Sequence, residues 1–179
     1  HRWTRAEWSE LDPDAYRHCE LIDGDIIDMA AMAAPHALAT DHIHERFTLS
    51  LQGVDACCGS QTPIIIDDYS EPEPDVWVAR VPRFALRLGK PTPDELSLVV
   101  EVADSSLRSD RRLKVPLYAR AALPMVWIVD VTDRTIEVLT DPVPSELRYA
   151  SSVRHTATDA VVAPWGVEFR VDDLLFQRR

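Results

Sequence analysis

Residues 96–103 read Leu-Ser-Leu-Val-Val-Glu-Val-Ala, apolar everywhere except Ser97 and Glu101. Apolarity this nearly continuous over a length suited to a strand, rich in valine, marks a strand buried on both faces. Such a strand sits inside a sheet and needs other layers against each side. This one segment therefore predicts a mixed α/β (α+β) domain, a sheet with helices packed on it.

The rest of the chain supplies those layers. Thr4-Arg-Ala-Glu7 is a capping box, so residues 1–15 form a short helical lead-in ended by Pro13. Asp23-Gly24 between two β-prone runs predicts a hairpin over 18–30. From Pro35 to Gln52 the spacing predicts a moderately amphipathic helix that stops near Gly53. Ile64-Ile65-Ile66 reads as a short buried strand, and Asp75–Ala79 as the next. Residues 82–95, rich in Pro, Arg and Gly, form a connector. A turn over Ser105–Asp110 leads into a helix from about Asp110 to Ala122, with Pro116 inside it. Met125–Val131 is another apolar strand, joined by a tight turn at Asp133-Arg134 to Thr135–Thr140. Residues 141–179 add short strands over 147–153 and 160–171 and a terminal helical turn at 172–176. The whole length, 1–179, is one domain, long enough for a substantial core.

Bulk properties exclude several functions. No apolar run approaches the roughly 20 residues of a membrane span. No leader pattern is visible in a chain that begins at His1, so the cytoplasm is the expected location. Cys19, Cys57 and Cys58 form no CxxC and read as reduced thiols. A net charge of −11 argues against nonspecific coating of nucleic acid. It leaves room for a carboxylate site with a local basic rim, for which Arg80, Arg83, Arg87, Arg108, Arg111 and Arg112 are candidates, although they equally serve as solubilising charge.

Glu101 is the anomaly in the central strand. Burying an ionised carboxylate without a partner is expensive. It is protonated, or paired with an arginine, or held at the strand's end against a cation. Asp75 opens its own strand. If that strand runs antiparallel to the Glu101 strand, the two carboxylates meet at one edge and can share a hard cation such as Mg²⁺ through oxygen. Lys114 lies on the following helix, one turn before Tyr118 and on the same face. It is one of only two lysines, against seventeen arginines. Lysine is a compact charge that can release a proton, which arginine cannot. An acidic pair plus a lysine can hold a divalent metal and attack a phosphodiester.

The segment 99–130, from Val-Val-Glu-Val through Asp110-xxx-Lys114-xxx-Tyr118 to Trp-Ile-Val-Asp, resembles the Uma-type restriction endonuclease family of the PD-(D/E)xK nuclease superfamily. Glu20-Leu-Ile-Asp-Gly-Asp, Pro35-His36 and Glu73-Pro-Asp75-Val match the same pattern. The resemblance implies a restriction-endonuclease-like fold with Asp75 and Glu101 as the paired acids. The usual lysine two residues after the second acid is absent, Ala103 standing there, and its role passes to Lys114. Glu20, His36 and Tyr118 fall on accessory positions. The implied reaction is metal-assisted hydrolysis, with Mg²⁺ or Mn²⁺ on Asp75, Glu101 and the Val102 carbonyl. The implied partner is nucleic acid, DNA before RNA, without a membrane, and a homodimer would suit double-strand cleavage. The alternative is a nuclease fold kept as a silent binding or regulatory module. A two-carboxylate glycosidase is a weaker reading, because it leaves Lys114 unexplained.

Other patterns carry less. His42-Ile43-His44-Glu45 lacks the spacing of a helical metal motif. Asp67-Asp68 and Asp172-Asp173 read as loop caps. No dinucleotide or P-loop fingerprint occurs. Ser105-Ser106 has no nucleophile elbow around it. Trp77, Trp127 and Trp165 are read as core residues on strands.

Overall fold

The structure, a computed structural model, describes residues 1–29, 33–86, 89–103 and 107–175, with backbone alone at 107–112. In chain order the elements are α1 (Arg5–Ser9), β1 (Cys19–Ile22), β2 (Asp25–Asp28), α2 (Ala34–Ser50), β3 (Cys57–Ser60), β4 (Val76–Ala79), β5 (Leu96–Ala103), α3 (Leu107–Arg120), β6 (Met125–Asp130), β7 (Thr135–Val143), β8 (Arg148–His155), β9 (Ala160–Val162), β10 (Glu168–Arg170) and α4 (Val171–Leu174).

Six strands form one sheet in the order β3-β4-β5-β6-β7-β8. β5 lies inside it, as its apolarity requires. It pairs antiparallel with β4 and parallel with β6, and the other pairs are antiparallel. A parallel pair cannot be joined by a tight turn, so the chain crosses back through α3.

From Leu98 onward, past an irregularity in the β4–β5 register, the two-residue period of β5 divides the core. Leu98, Val100 and Val102 face the layer of α2, where they meet Ile43, Phe47, Trp127 and the β9-β10 hairpin. Leu96 and Val99 face the layer of α3, with Trp77, Tyr118, Ala119, Val126 and Ile128. Phe47 anchors the first layer, its ring 5.7 Å from Trp127, 5.1 Å from Trp165 and 5.6 Å from Phe169. By the same alternation Glu101 points to the α3 side.

Local chemistry explains the smaller elements. Thr4 and Glu7 form the expected reciprocal capping box on α1. Asp23 and Gly24 both have positive φ, 52° and 86°, as a two-residue hairpin turn needs. Pro116 lies within α3 and has no N–H for the helix ladder.

Four expectations need correction. Ile64–Ile66 is not a strand. Ile64 and Ile66 donate to the Pro72 and Ser70 carbonyls and Ile65 to that of Pro91, but Pro72 has no N–H to return a bond, so no ladder forms. A strand not expected, β3, occupies the edge beside β4. α3 begins at Leu107, three residues before the expected start. Trp165 lies between β9 and β10, not on a strand, although it does pack on Phe47. The expected turn at Ser105-Ser106, Arg87 and Phe176 fall outside the described residues. No helix among the described residues is long and apolar enough to cross a membrane.

Candidate active site

Asp75 sits just before β4, beside the end of β5, because those strands run antiparallel with Val76 opposite Val100. Its Oδ2 accepts the Val102 N–H at 2.7 Å. Its Oδ1 lies 3.1 Å from Nε2 of His36, in the first turn of α2. One carboxylate thus fastens β4 to β5 and meets the α2 layer.

Glu101 is 2% exposed. Tyr118 donates its hydroxyl to Oε1 at 2.5 Å, and Lys114 Nζ lies 3.3 Å from Oε2. The one-turn spacing of Lys114 and Tyr118 lets one helix face serve both oxygens. The described partners of the buried Glu101 include a lysine and a tyrosine.

Lys114 reaches further. Its Nζ is 3.1 Å from Glu20 Oε2, on β1, and 3.5 Å from the Glu73 carbonyl. Glu20 Oε2 also accepts the Glu73 N–H at 3.1 Å. Glu20, Glu101 and Lys114 are all buried. The hairpin β1–β2, the segment before β4, β5 and α3 are therefore held together at a single ammonium.

The six sequence-derived residues, Glu20, His36, Asp75, Glu101, Lys114 and Tyr118, come together through these contacts. A seventh, Glu73, was not singled out. Burial first, then the charge on Glu20, pushes its carboxyl above the ordinary value, while Lys114 pulls the other way. The signal was present in Glu71-Pro-Glu73-Pro-Asp75. Prolines hold the chain extended, and extended residues two apart share a side.

Arg80 and Arg83, expected in the basic rim, are not part of this group. They follow β4 at the end away from Asp75, donating to the Leu96 and Cys58 carbonyls at 2.6 Å each. Arg87 and the side chains of Arg108, Asp110, Arg111 and Arg112 lie outside the described residues. His42 contacts the Asp173 carbonyl at 2.8 Å, which suits a packing role.

The donor set suits a hard cation. Glu20 and Glu101 meet Lys114, and Glu73 lies near enough to feel the charges of Lys114, Glu20 and Asp75, which leaves an excess of carboxylate oxygen. Each oxygen of Asp75 has one described partner, yet a carboxylate offers about four lone-pair directions, so capacity remains. Among the described residues no three His, Cys, Asp or Glu side chains group as ligands of one ion. The smaller set of Asp75, Glu101 and a carbonyl is of a size Mg²⁺ uses, with waters completing its shell. A strand residue presents N–H and C=O on the same edge, so the Val102 carbonyl lies on the Asp75 side.

The sequence matches the Uma2 family, described as putative restriction endonuclease, over residues 6–171. The chain belongs to that family. Among curated proteins none matches the Uma2 chain. Among solved structures it is similar to a putative nuclease belonging to DUF820 from Anabaena variabilis ATCC 29413, with a TM-score of 0.74 and 15% identity. That alignment covers 96% of this chain and 97% of the other. At such low identity the likeness is one of fold, a mixed sheet flanked by helices. Family and fold together are those of a nuclease, with residues 6–171 taking in every member of the site.

Proposed function

We propose that this Uma2 protein is a Mg²⁺-dependent endonuclease that hydrolyses phosphodiester bonds of nucleic acid, with DNA the expected substrate. The observation that carries the reading is that Asp75 accepts the Val102 N–H beside Glu101, whose carboxylate meets the buried Lys114. Asp75 is oriented by the Val102 N–H and His36. Glu101 is oriented by Tyr118 and Lys114. Asp75, Glu101 and the Val102 carbonyl would hold the cation. When bound, Mg²⁺ acidifies a water and polarises the scissile phosphate, and Mn²⁺ offers the same chemistry. Lys114 brings a fixed positive charge to the place where negative charge develops on phosphate oxygen. Glu20 and the Glu73 carbonyl keep that ammonium in position. Double-strand cleavage with one such site per chain favours a homodimer.

Plasmid nicking tests the proposal. Mg²⁺ or Mn²⁺ should support nicking and EDTA should stop it. Asp75→Asn and Glu101→Gln should each reduce the rate by at least about a hundredfold, the scale of losing a transition-state contact, with circular dichroism unchanged. Full activity in either folded variant would sink the assignment.

A second reading is a silent nuclease-fold binding module. It is favoured by the closed network, in which every oxygen of Asp75 and Glu101 already has a protein partner. Retained binding with no cleavage of DNA or RNA under either metal would select it.

A further inference from the structure

Four residues before Asp75, the same segment carries a second group of charges. Glu71 is 9% exposed, and both its oxygens are taken. Arg5 Nε donates to Oε2 at 2.9 Å and Lys90 Nζ to Oε1 at 2.6 Å. Together with Trp8, Tyr69 and Asp68 these residues line a cavity of about 650 Å³. The backbone ties this cavity to the active-site frame. The Arg5 N–H bonds to the Asp68 carbonyl at 2.8 Å, and the Glu71 N–H bonds to the carbonyl of Leu21, next to Glu20, at 2.8 Å.

A clamp between the N-terminal segment and this loop needs one cation. Here two cations share one buried carboxylate, and most of their donors remain unspent. Arg5 spends only Nε, leaving both Nη groups without another partner among the described residues. Lys90 spends one of three N–H bonds and is 40% exposed. The carboxylate of Asp68 is exposed and meets neither cation, since only its carbonyl touches Arg5. The lining charges balance, two cations against two carboxylates, but the cations present their unspent N–H donors to the cavity. The half-exposed Trp8 ring stands beside it. Cations pre-positioned by a buried acid, with donors to spare and an aromatic ring alongside, match a nucleotide phosphate and its base.

We propose that this cavity is a phosphate subsite for the substrate strand. Arg5 and Lys90 donate to a backbone phosphate, and Trp8 offers a stacking face to the adjoining base. The proposal rests on the nuclease reading and adds a binding site to it. Four extended residues span at most about 14 Å, which places the subsite within reach of a strand that crosses Asp75.

Fluorescence anisotropy with a labelled single-stranded oligonucleotide, in EDTA to prevent cleavage, tests it. Lys90→Gln should weaken binding several-fold and reduce the slope of log K against log salt by about 0.7, the loss of one phosphate contact. Glu71→Gln should tighten binding, because the same two cations lose their internal counter-ion. Deoxyadenosine monophosphate should compete far more weakly than the strand. Thermal melts establish that each variant is folded, and if Glu71→Gln is not, Lys90→Gln alone decides. An unchanged slope in Lys90→Gln, weaker binding in folded Glu71→Gln, or competition by the mononucleotide as strong as by the strand would overturn the subsite. Asp75→Asn separates the two proposals, since it should lose nicking and keep Lys90-dependent binding. Nicking without any Lys90 effect overturns the subsite alone. Lys90-dependent binding with no nicking under any metal overturns the nuclease reading alone.

Discussion

Both lysines of this chain end on buried carboxylates, and at Lys114 the geometry shows why arginine does not serve. Its ammonium meets Glu20, Glu101 and the Glu73 carbonyl, so acceptors from three segments converge on one atom. A planar guanidinium spreads its donors over a wide fork and cannot converge them on that point. Tyr118 completes the arrangement by holding the other oxygen of Glu101. Tyr118→Phe should therefore leave a buried carboxylate oxygen without its donor and cost about 1–3 kcal/mol. Urea denaturation would read that loss, and nicking should slow with it. A variant as stable and active as the parent would show that Tyr118 does not position Glu101. Asp75, Glu101, Lys114 and Tyr118 were legible because each breaks a local pattern: an acid in an apolar strand, an acid opening one, a rare lysine, a matching helix face. Glu73 was not, because a carboxylate in a proline-spaced loop looks like a solvated connector until Glu20 and Lys114 arrive from distant parts of the chain.

At the scale of elements, β5 and β3 make opposite lessons. β5 is apolar enough to declare itself. β3, Cys-Cys-Gly-Ser, has no β-branched residue and becomes a strand only through pairing with β4. Gly59 is required there. A Cβ at that position would lie 2.3 Å from Cζ2 of Trp77, a ring that is 1% exposed and held by Thr62 through Nε1 at 2.8 Å. Gly59→Ala should destabilise the fold by about 1–3 kcal/mol, the scale of an overpacked core, measurable as a lowered denaturation midpoint. Conversely Ile64–Ile66 has the composition of a strand but faces Pro72, which has no N–H to complete a ladder. α1 depends on its capping box, and its pH response follows. The Thr4 backbone N–H, then its hydroxyl, hold the Glu7 carboxyl below the ordinary 4.5. A carboxyl whose folded value is depressed contributes stability above its unfolded value and loses it as pH falls through the folded one. NMR titration of Glu7 should show a midpoint below 4.5. A midpoint at or above it would mean that the box is open in solution.

At the scale of the whole molecule, the sheet order determines where charge accumulates. Antiparallel β4 and β5 bring Asp75 beside the end of β5, the crossover through α3 returns Lys114 above it, and the β1–β2 hairpin adds Glu20. Four carboxylates gathered in one region with one lysine are tolerable to the fold but favour a cation. Mg²⁺ should accordingly raise the melting temperature more than KCl at equal ionic strength. Saturation a hundredfold above Kd corresponds to about 2.7 kcal/mol. Asp75→Asn should erase the increment that Mg²⁺ adds over KCl. Equal melting in both salts for the parent would argue against a cation at this site. The sequence by itself determined the central strand, the helices that cover it, the hairpin turn and the residue types of the site, since burial and turn geometry leave periodic and local marks. Only the tertiary structure decided which strands are neighbours, that Glu73 joins the acids, and that Arg5 and Lys90 share Glu71. Those depend on contacts between segments far apart in the chain, and no local propensity encodes a partner many residues away.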